Sequence, residues 1–237
     1  MSAHAVGTAV DDAVQQQRAA DGGASAAGPC VVTQDGDTRV RSVVISHIQG
    51  EVGFDRGKGR GMEPAIQSVP VIQGMKLITA DGYAEVGFED GTYLRLTPST
   101  VIAFDQLGLH KTGALATVVG VRLGTVYVVT RDWKGSGIRL QMGKTCITVS
   151  RSTHVRLEIT PARIELAVFK GTASVEGPAG HIVEVKKSQS LPFHLSEGGM
   201  ATIVPGIEVR PSDDWEKKAM KLHEPHVSRR PPPSVWH

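Results

Sequence analysis

The sequence predicts an all-β fold, a stack of short strands in solenoid or sandwich form, with one short C-terminal helix. Three observations carry this: short apolar runs of period two, glycine-rich turns between them, and a recurring strand–glycine–strand unit. Period two places alternate side chains on opposite faces, which is the mark of a half-buried strand.

The runs follow one another from about Val40. Ala84, Val86 and Phe88 alternate, then Leu94 and Leu96 after the turn Glu89-Asp90-Gly91, with Tyr93 and Arg95 directed outward. Val119, Val121 and Leu123 continue the pattern, and Val126 and Val128 follow Gly124. Ile138, Leu140 and Met142 come next, then Val155, Leu157 and Ile159, then Ile164, Leu166 and Val168. Asp81-Gly82, Asp90-Gly91 and Glu176-Gly177-Pro178 supply strand-reversing chemistry. Pro98, Pro161 and Pro192 are expected between runs, where a missing N–H breaks no ladder.

Gly50, Gly124 and Gly171 each follow an apolar run and open a new one. Glycine lets the chain bend closely against its neighbour, so each is read as a corner between strands. The intervals are unequal, which leaves solenoid and sandwich both open.

Residues 1–38 are rich in Ala, Gly, Gln and Asp without a sustained period and are expected to be a disordered leader. The β domain is expected over 39–210. Over 211–224 the period switches: Trp215, Ala219 and Leu222 share a helical face, Ser212 or Asp213 can cap it, and Pro225 ends it. Residues 225–237, with Pro231-Pro232-Pro233, are read as a disordered tail.

Composition narrows the function. Hydrophobic residues at 40% and charged residues at 21% suit a globular protein. A net charge of +2 with no basic run between aromatics argues against nucleic acid. No stretch approaches the ~18 apolar residues of a membrane span, and no signal peptide is visible at the start. Export is then absent or the true start lies upstream. Cys30 and Cys146 do not make a disulfide framework, and Cys146 reads as a buried free thiol in a strand.

These segments together resemble the FecR-domain family. Gly74 to Val86 is similar to the family's opening G-x-x-L-x-T-x-x-x-x-A-x-V, and Phe88 to Leu96 to its F-x-D-G-S-x-L-x-L turn. Leu123 to Val128, Arg151 to Leu157 and Val168 to Val175 resemble its later steps, with Ser152 and Val155 replacing the family's Gly and Phe. The likeness runs from about Ser46 to Leu191. It implies a β-helix-like or stacked-strand fold facing the bacterial periplasm. In the named signalling proteins that fold relays a transporter signal to an anti-sigma segment. This sequence shows neither a sigma-binding helical region nor a membrane helix before the β domain, and so looks more like the free-standing members.

Chemical motifs give little. No serine sits in a G-x-S-x-G elbow. His154 falls at an outward strand position, and His47, His110, His181 and His194 are scattered. His223-Glu224-Pro225-His226 offers two imidazoles across a helix-ending proline, short of the about three protein ligands that zinc needs. The aspartates of Asp81-Gly82 and Asp90-Gly91 are explained by turn formation. No catalytic residue, metal site or cofactor is expected.

Six residues are candidates for binding: Arg122, Arg139, His154, Arg156 and Arg163, placed outward by alternation, and Trp215 on the helix. In register, the basic five would form a stripe facing an anionic glycan, a lipid head group or an acidic partner; the preferred alternative is a solvated face with dispersed counter-charges such as Glu158 and Glu165. The expected function is a non-enzymatic binding or scaffolding module of the bacterial cell envelope that contacts a protein partner. Two alternatives stand beside it: an envelope protein binding or acting on carbohydrate, and a regulator in a transmembrane relay whose other parts are encoded elsewhere.

Overall fold

The structure, a computed structural model, describes residues 30, 39–57, 59, 61–109, 115–133, 137–161, 163–177, 180, 182–196 and 200–203. The expected helix with Trp215, the tail, and all of the leader except Cys30 lie outside the described residues.

Seventeen strands are described, and they divide into two layers. In chain order, β1 (Arg39–Val40) belongs to the first layer and β2 (Val43–Gln49) to the second; β3 (Val52–Asp55), β4 (Met62–Pro64) and β5 (Lys76–Thr79) return to the first. β6 (Tyr83–Phe88) and β7 (Tyr93–Leu96) form a hairpin in the second layer, and β8 (Thr100–Leu109) lies in the first. β9 (Leu115–Val129) serves both: up to Leu123 it pairs with β8, and from Gly124 it pairs in the second layer. β10 (Ile138–Met142) and β11 (Thr145–Val149) form a first-layer hairpin, β12 (His154–Ile159) and β13 (Ile164–Lys170) a second-layer one. β14 (Thr172–Glu176) and β15 (Ile182–Lys186) close the first layer, and β16 (Gln189–Ser196) with β17 (Met200–Ile203) closes the second.

The spatial order is β4-β3-β5-β8-β9-β10-β11-β14-β15 in the first layer. In the second it is β2-β6-β7-β9-β12-β13-β16-β17. Both layers therefore advance almost entirely in sequence order. The chain lays down a hairpin on one side, crosses, lays the next on the other, and the stack grows. All strand pairs are antiparallel except β9–β10, where the chain completes a turn through both layers before returning beside itself. The all-β expectation holds, in its stacked short-strand form.

One hydrophobic cluster fills the space between the layers. It includes Phe54, Leu77, Ile102, Phe104, Val119, Leu140 and Ile147 from the first layer and Ile45, Val86, Leu94, Val128, Leu157, Leu166 and Phe193 from the second. The alternating residues named from the sequence are buried here, except that Leu123 is half-buried where β9 turns out of the first layer.

The three corner glycines sit where the chain changes layers: Gly50 between β2 and β3, Gly124 within β9, and Gly171 between β13 and β14, with φ of 74°, 91° and 75°. That left-handed backbone suits glycine. The last two belong to a corner device that occurs twice. In the first copy the N–H of Thr100 donates to the Thr79 hydroxyl (2.9 Å) and the N–H of Thr125 to the Thr100 hydroxyl (3.1 Å). In the second, Thr153 donates to Thr130 (2.9 Å) and Thr172 to Thr153 (3.3 Å). Ser99 and Ser152, both at positive φ, precede the central threonines, and their N–H groups donate to the Ala80 and Arg131 carbonyls. The two copies use opposite layers, so the internal repeat is also a swap of faces.

Two expectations are corrected. Pro192 lies inside β16, opposite Glu165 of β13. The β17 ladder starts one residue beyond it, at Phe193, so the missing donor can fall on the open side. Cys30 and Cys146 are not free thiols: they are joined in a disulfide, with Cα atoms 5.2 Å apart. A separation of 116 residues hides such a pairing from any local pattern.

Candidate functional site

In the second layer Val86, Leu94, Val128, Leu157 and Leu166 point into the core, so their neighbours line the outer face. Register places Glu85, Arg95, Tyr127, Arg156, Ala167 and Ser190 in one row across β6, β7, β9, β12, β13 and β16. A parallel row holds Thr125, Glu158, Glu165 and Pro192.

Charges along these rows are paired. Arg95 Nε lies 2.8 Å from Glu85 Oε2, and Ser46 donates to the same carboxylate at 2.9 Å. Arg163 forks between Glu158 (3.2 Å) and Glu165 (3.1 Å), and Arg156 reaches Glu165 at 3.9 Å. Small Ala167 leaves Arg156 room to extend across β13. Arg163 is the outermost cation of this group, its side chain 53% exposed against 14% for Arg156. Thr97, Pro98, Thr125, Tyr127, Arg156, Glu158 and Arg163 line an open depression of about 390 Å³ on this face.

His154 stands at the next position along β12, beside Tyr127 (6.4 Å between rings) and Phe169 (5.1 Å). Burial, reinforced by the Arg95 charge, lowers its pKa to about 4, so at neutral pH the ring is uncharged. It therefore adds no positive charge to the face. Burial also raises Tyr93, whose ring is covered by the Arg95 guanidinium at 4.7 Å.

The candidate residues divide between the layers. His154, Arg156 and Arg163 come together on the second. Arg122 is exposed on the first, in a β-bulge, near Asp105, whose carboxyl burial pushes up against the opposing pull of Arg122 and Lys76. Arg139 is also on the first layer, where Nη1 donates to the Cys30 carbonyl at 3.2 Å. Trp215 lies outside the described residues. The single basic stripe does not form, because Gly124 and the 150–153 corner carry successive strands to opposite sides.

Sequence reasoning missed Arg41. Its side chain is 1% exposed and reaches Glu89 (2.7 Å), Asp90 (3.2 Å) and the Thr117 hydroxyl, with the guanidinium over Phe88. Asp90 also accepts the Thr92 N–H at 2.9 Å and so braces its own turn, whereas Asp81 accepts the Glu51 N–H at 3.0 Å and ties its turn to the Gly50 corner. Among the described residues no cluster of three or more His, Cys, Asp or Glu could hold a metal ion, and no helix is long and apolar enough to cross a membrane.

Residues 76–174 match the family described as FecR protein. That stretch is similar to a FecR domain. The match spans β5 to most of β14, and so includes β9, the β6–β7 turn held by Arg41, and the outer row of the second layer as far as Ala167. No curated protein matches the chain. Two crystal structures of a protein from Parabacteroides distasonis ATCC 8503, described as a "putative anti-sigma factor", are similar at 14% identity, with a TM-score of 0.43. The likeness covers 62% of this chain and 63% of theirs.

Proposed function

We propose that this FecR-like domain is a non-enzymatic regulatory binding module of the bacterial cell envelope, which meets a protein partner through the outer face of its second layer. The observation that carries the reading is the array around the depression, where Arg163 and Glu158 stand at the surface beside the sheltered Arg156 and Tyr127. Alternating charges of this kind suit recognition of a polar protein surface, fixing register and partner choice more than raw affinity. Three of the four edges, those of β2, β4 and β15, are less suited to strand addition. The outer side of β2 is occupied by the 68–71 segment, with Ile45 donating to Val69 and Val71 donating to Val43. β4 ends in Pro64, and β15 carries Glu184 and Lys186.

The test is a crosslinking pull-down from native envelope fractions with the full chain as bait, followed by affinity measurement with the purified partner. Arg163→Glu is expected to weaken binding tenfold or more, while Arg122→Glu on the opposite layer leaves it unchanged. Equal effects from both variants, or enrichment of glycan without a stoichiometric protein, would sink the reading.

A further inference from the structure

The Cys30–Cys146 pair lies on the side of the molecule away from the proposed partner face. In β9, β10 and β11, Val119, Leu140 and Ile147 point into the core. Their neighbours Val118, Arg139 and Cys146 therefore face outward from the first layer. Yet Val118 is 0% exposed and Cys146 3% exposed, and together with Cys30, itself fully buried, they form a second apolar cluster separate from the core. Arg139 adds a polar tie to the Cys30 carbonyl. Three features, the covalent bond, the apolar contact and the arginine, meet at Cys30 on the middle of a sheet face.

We propose that this disulfide is an oxidative clasp, which holds Cys30 on the outer face of the first layer and is completed in an oxidising compartment. The thiolate of one cysteine attacks an external disulfide, expelling one thiolate and forming a mixed disulfide. The second cysteine thiolate then attacks the protein sulfur of that mixed disulfide, forming Cys30–Cys146 and expelling the second thiolate. The external disulfide is reduced to two thiols as the protein dithiol is oxidised. Once closed, the bond is shielded by its own burial, so an external thiol reaches it only after local opening. Stable bonds of this kind belong to the cell exterior and periplasm rather than to a reducing cytosol.

The full chain, expressed in the periplasm and in the cytoplasm of a bacterial host, is alkylated under denaturing conditions without reductant and mapped by mass spectrometry. Periplasmic protein is expected to give one linked peptide pair containing Cys30 and Cys146, and cytoplasmic protein two alkylated cysteines. Natively, the linked form should resist dithiothreitol at least tenfold longer than the same protein in urea. Its Tm should exceed that of the Cys30→Ser/Cys146→Ser variant by about 5–10 °C, as a cross-link closing a long loop predicts. Two free thiols in the periplasmic product, bridges between chains through Cys30, or a linked form with the same Tm as the double variant would each overturn the clasp.

Discussion

His154 is a residue whose neighbours decide its charge. Because its folded pKa, about 4, lies below the ordinary value of 6.5, the unfolded chain takes up a proton first as pH falls. Stability is therefore full above about pH 6.5, declines between there and pH 4, and is flat with respect to this group below. From pH 7 to 4.5 the wild type should lose about 2 kcal/mol more than His154→Phe, read from urea midpoints. Equal losses would show that the ring is not sheltered. Arg41 is the second telling residue: Arg41→Met leaves Asp90 buried without its cation and should cost about 3 kcal/mol. Glu89→Gln, at a side chain 36% exposed, should cost about 1 kcal/mol or less in the same denaturation assay. Neither contact is local. His154 could be placed on a strand from alternation, but its ring partners come from β9 and from a bulge in β13. Arg41 precedes the first long strand and meets partners 48 and 76 residues away.

The strands and their corners were largely legible, for a physical reason. Each strand buries one face, so period two is imprinted wherever a run passes through the core, and each layer crossing needs a backbone that glycine tolerates. What periodicity cannot state is which layer a run joins, so alternation alone sets Arg122 and Arg139 beside Arg156 and Arg163. The threonines of the corners left no apolar signal either; their contribution is hydrogen bonding to the next crossing. Thr153→Val should therefore destabilise by about 2 kcal/mol despite its matching shape, through loss of its bonds with Thr172 and the Arg151 carbonyl. The glycine comparison is sharper. A Cβ on Gly171 would lie 2.9 Å from both the Thr153 Cα and the Ser152 carbonyl oxygen, whereas one on Gly180, at the same φ of 75°, meets nothing within 4 Å. Gly180→Ala should cost only the conformational strain, about 1–2 kcal/mol. Gly171→Ala should cost clearly more, and equal losses in chemical denaturation would refute the close packing of the corner.

At the scale of the molecule, one core cluster runs through both layers without a break, and β9 belongs to both. A chain that is periodic in construction is therefore expected to be cooperative in unfolding. Calorimetric and van't Hoff enthalpies should agree, and far-ultraviolet circular dichroism and tryptophan fluorescence should report the same midpoint. Separate transitions would mean that the stack melts unit by unit, as extended repeat arrays can. The FecR likeness was legible because its signature joins the alternating core residues of the strands to the turn and corner positions between them. The disulfide was not, since two cysteines 116 residues apart carry no periodic mark.

That bond also changes how the domain would respond to being pulled. Tension entering from the N-terminal side of Cys30 and leaving beyond β17 passes through the sulfur atoms directly to β11. Residues 31–145 then sit off the load path, although they include β1 to β10. A stretched, oxidised chain would yield only its later strands, and its contour length would fall short of the reduced chain's by roughly 400 Å, at about 3.5 Å per residue. In a module tethered at both ends, loss of the shared core would hand the later strands to the pull, while the earlier ones could lengthen the tether no further than the bond allows.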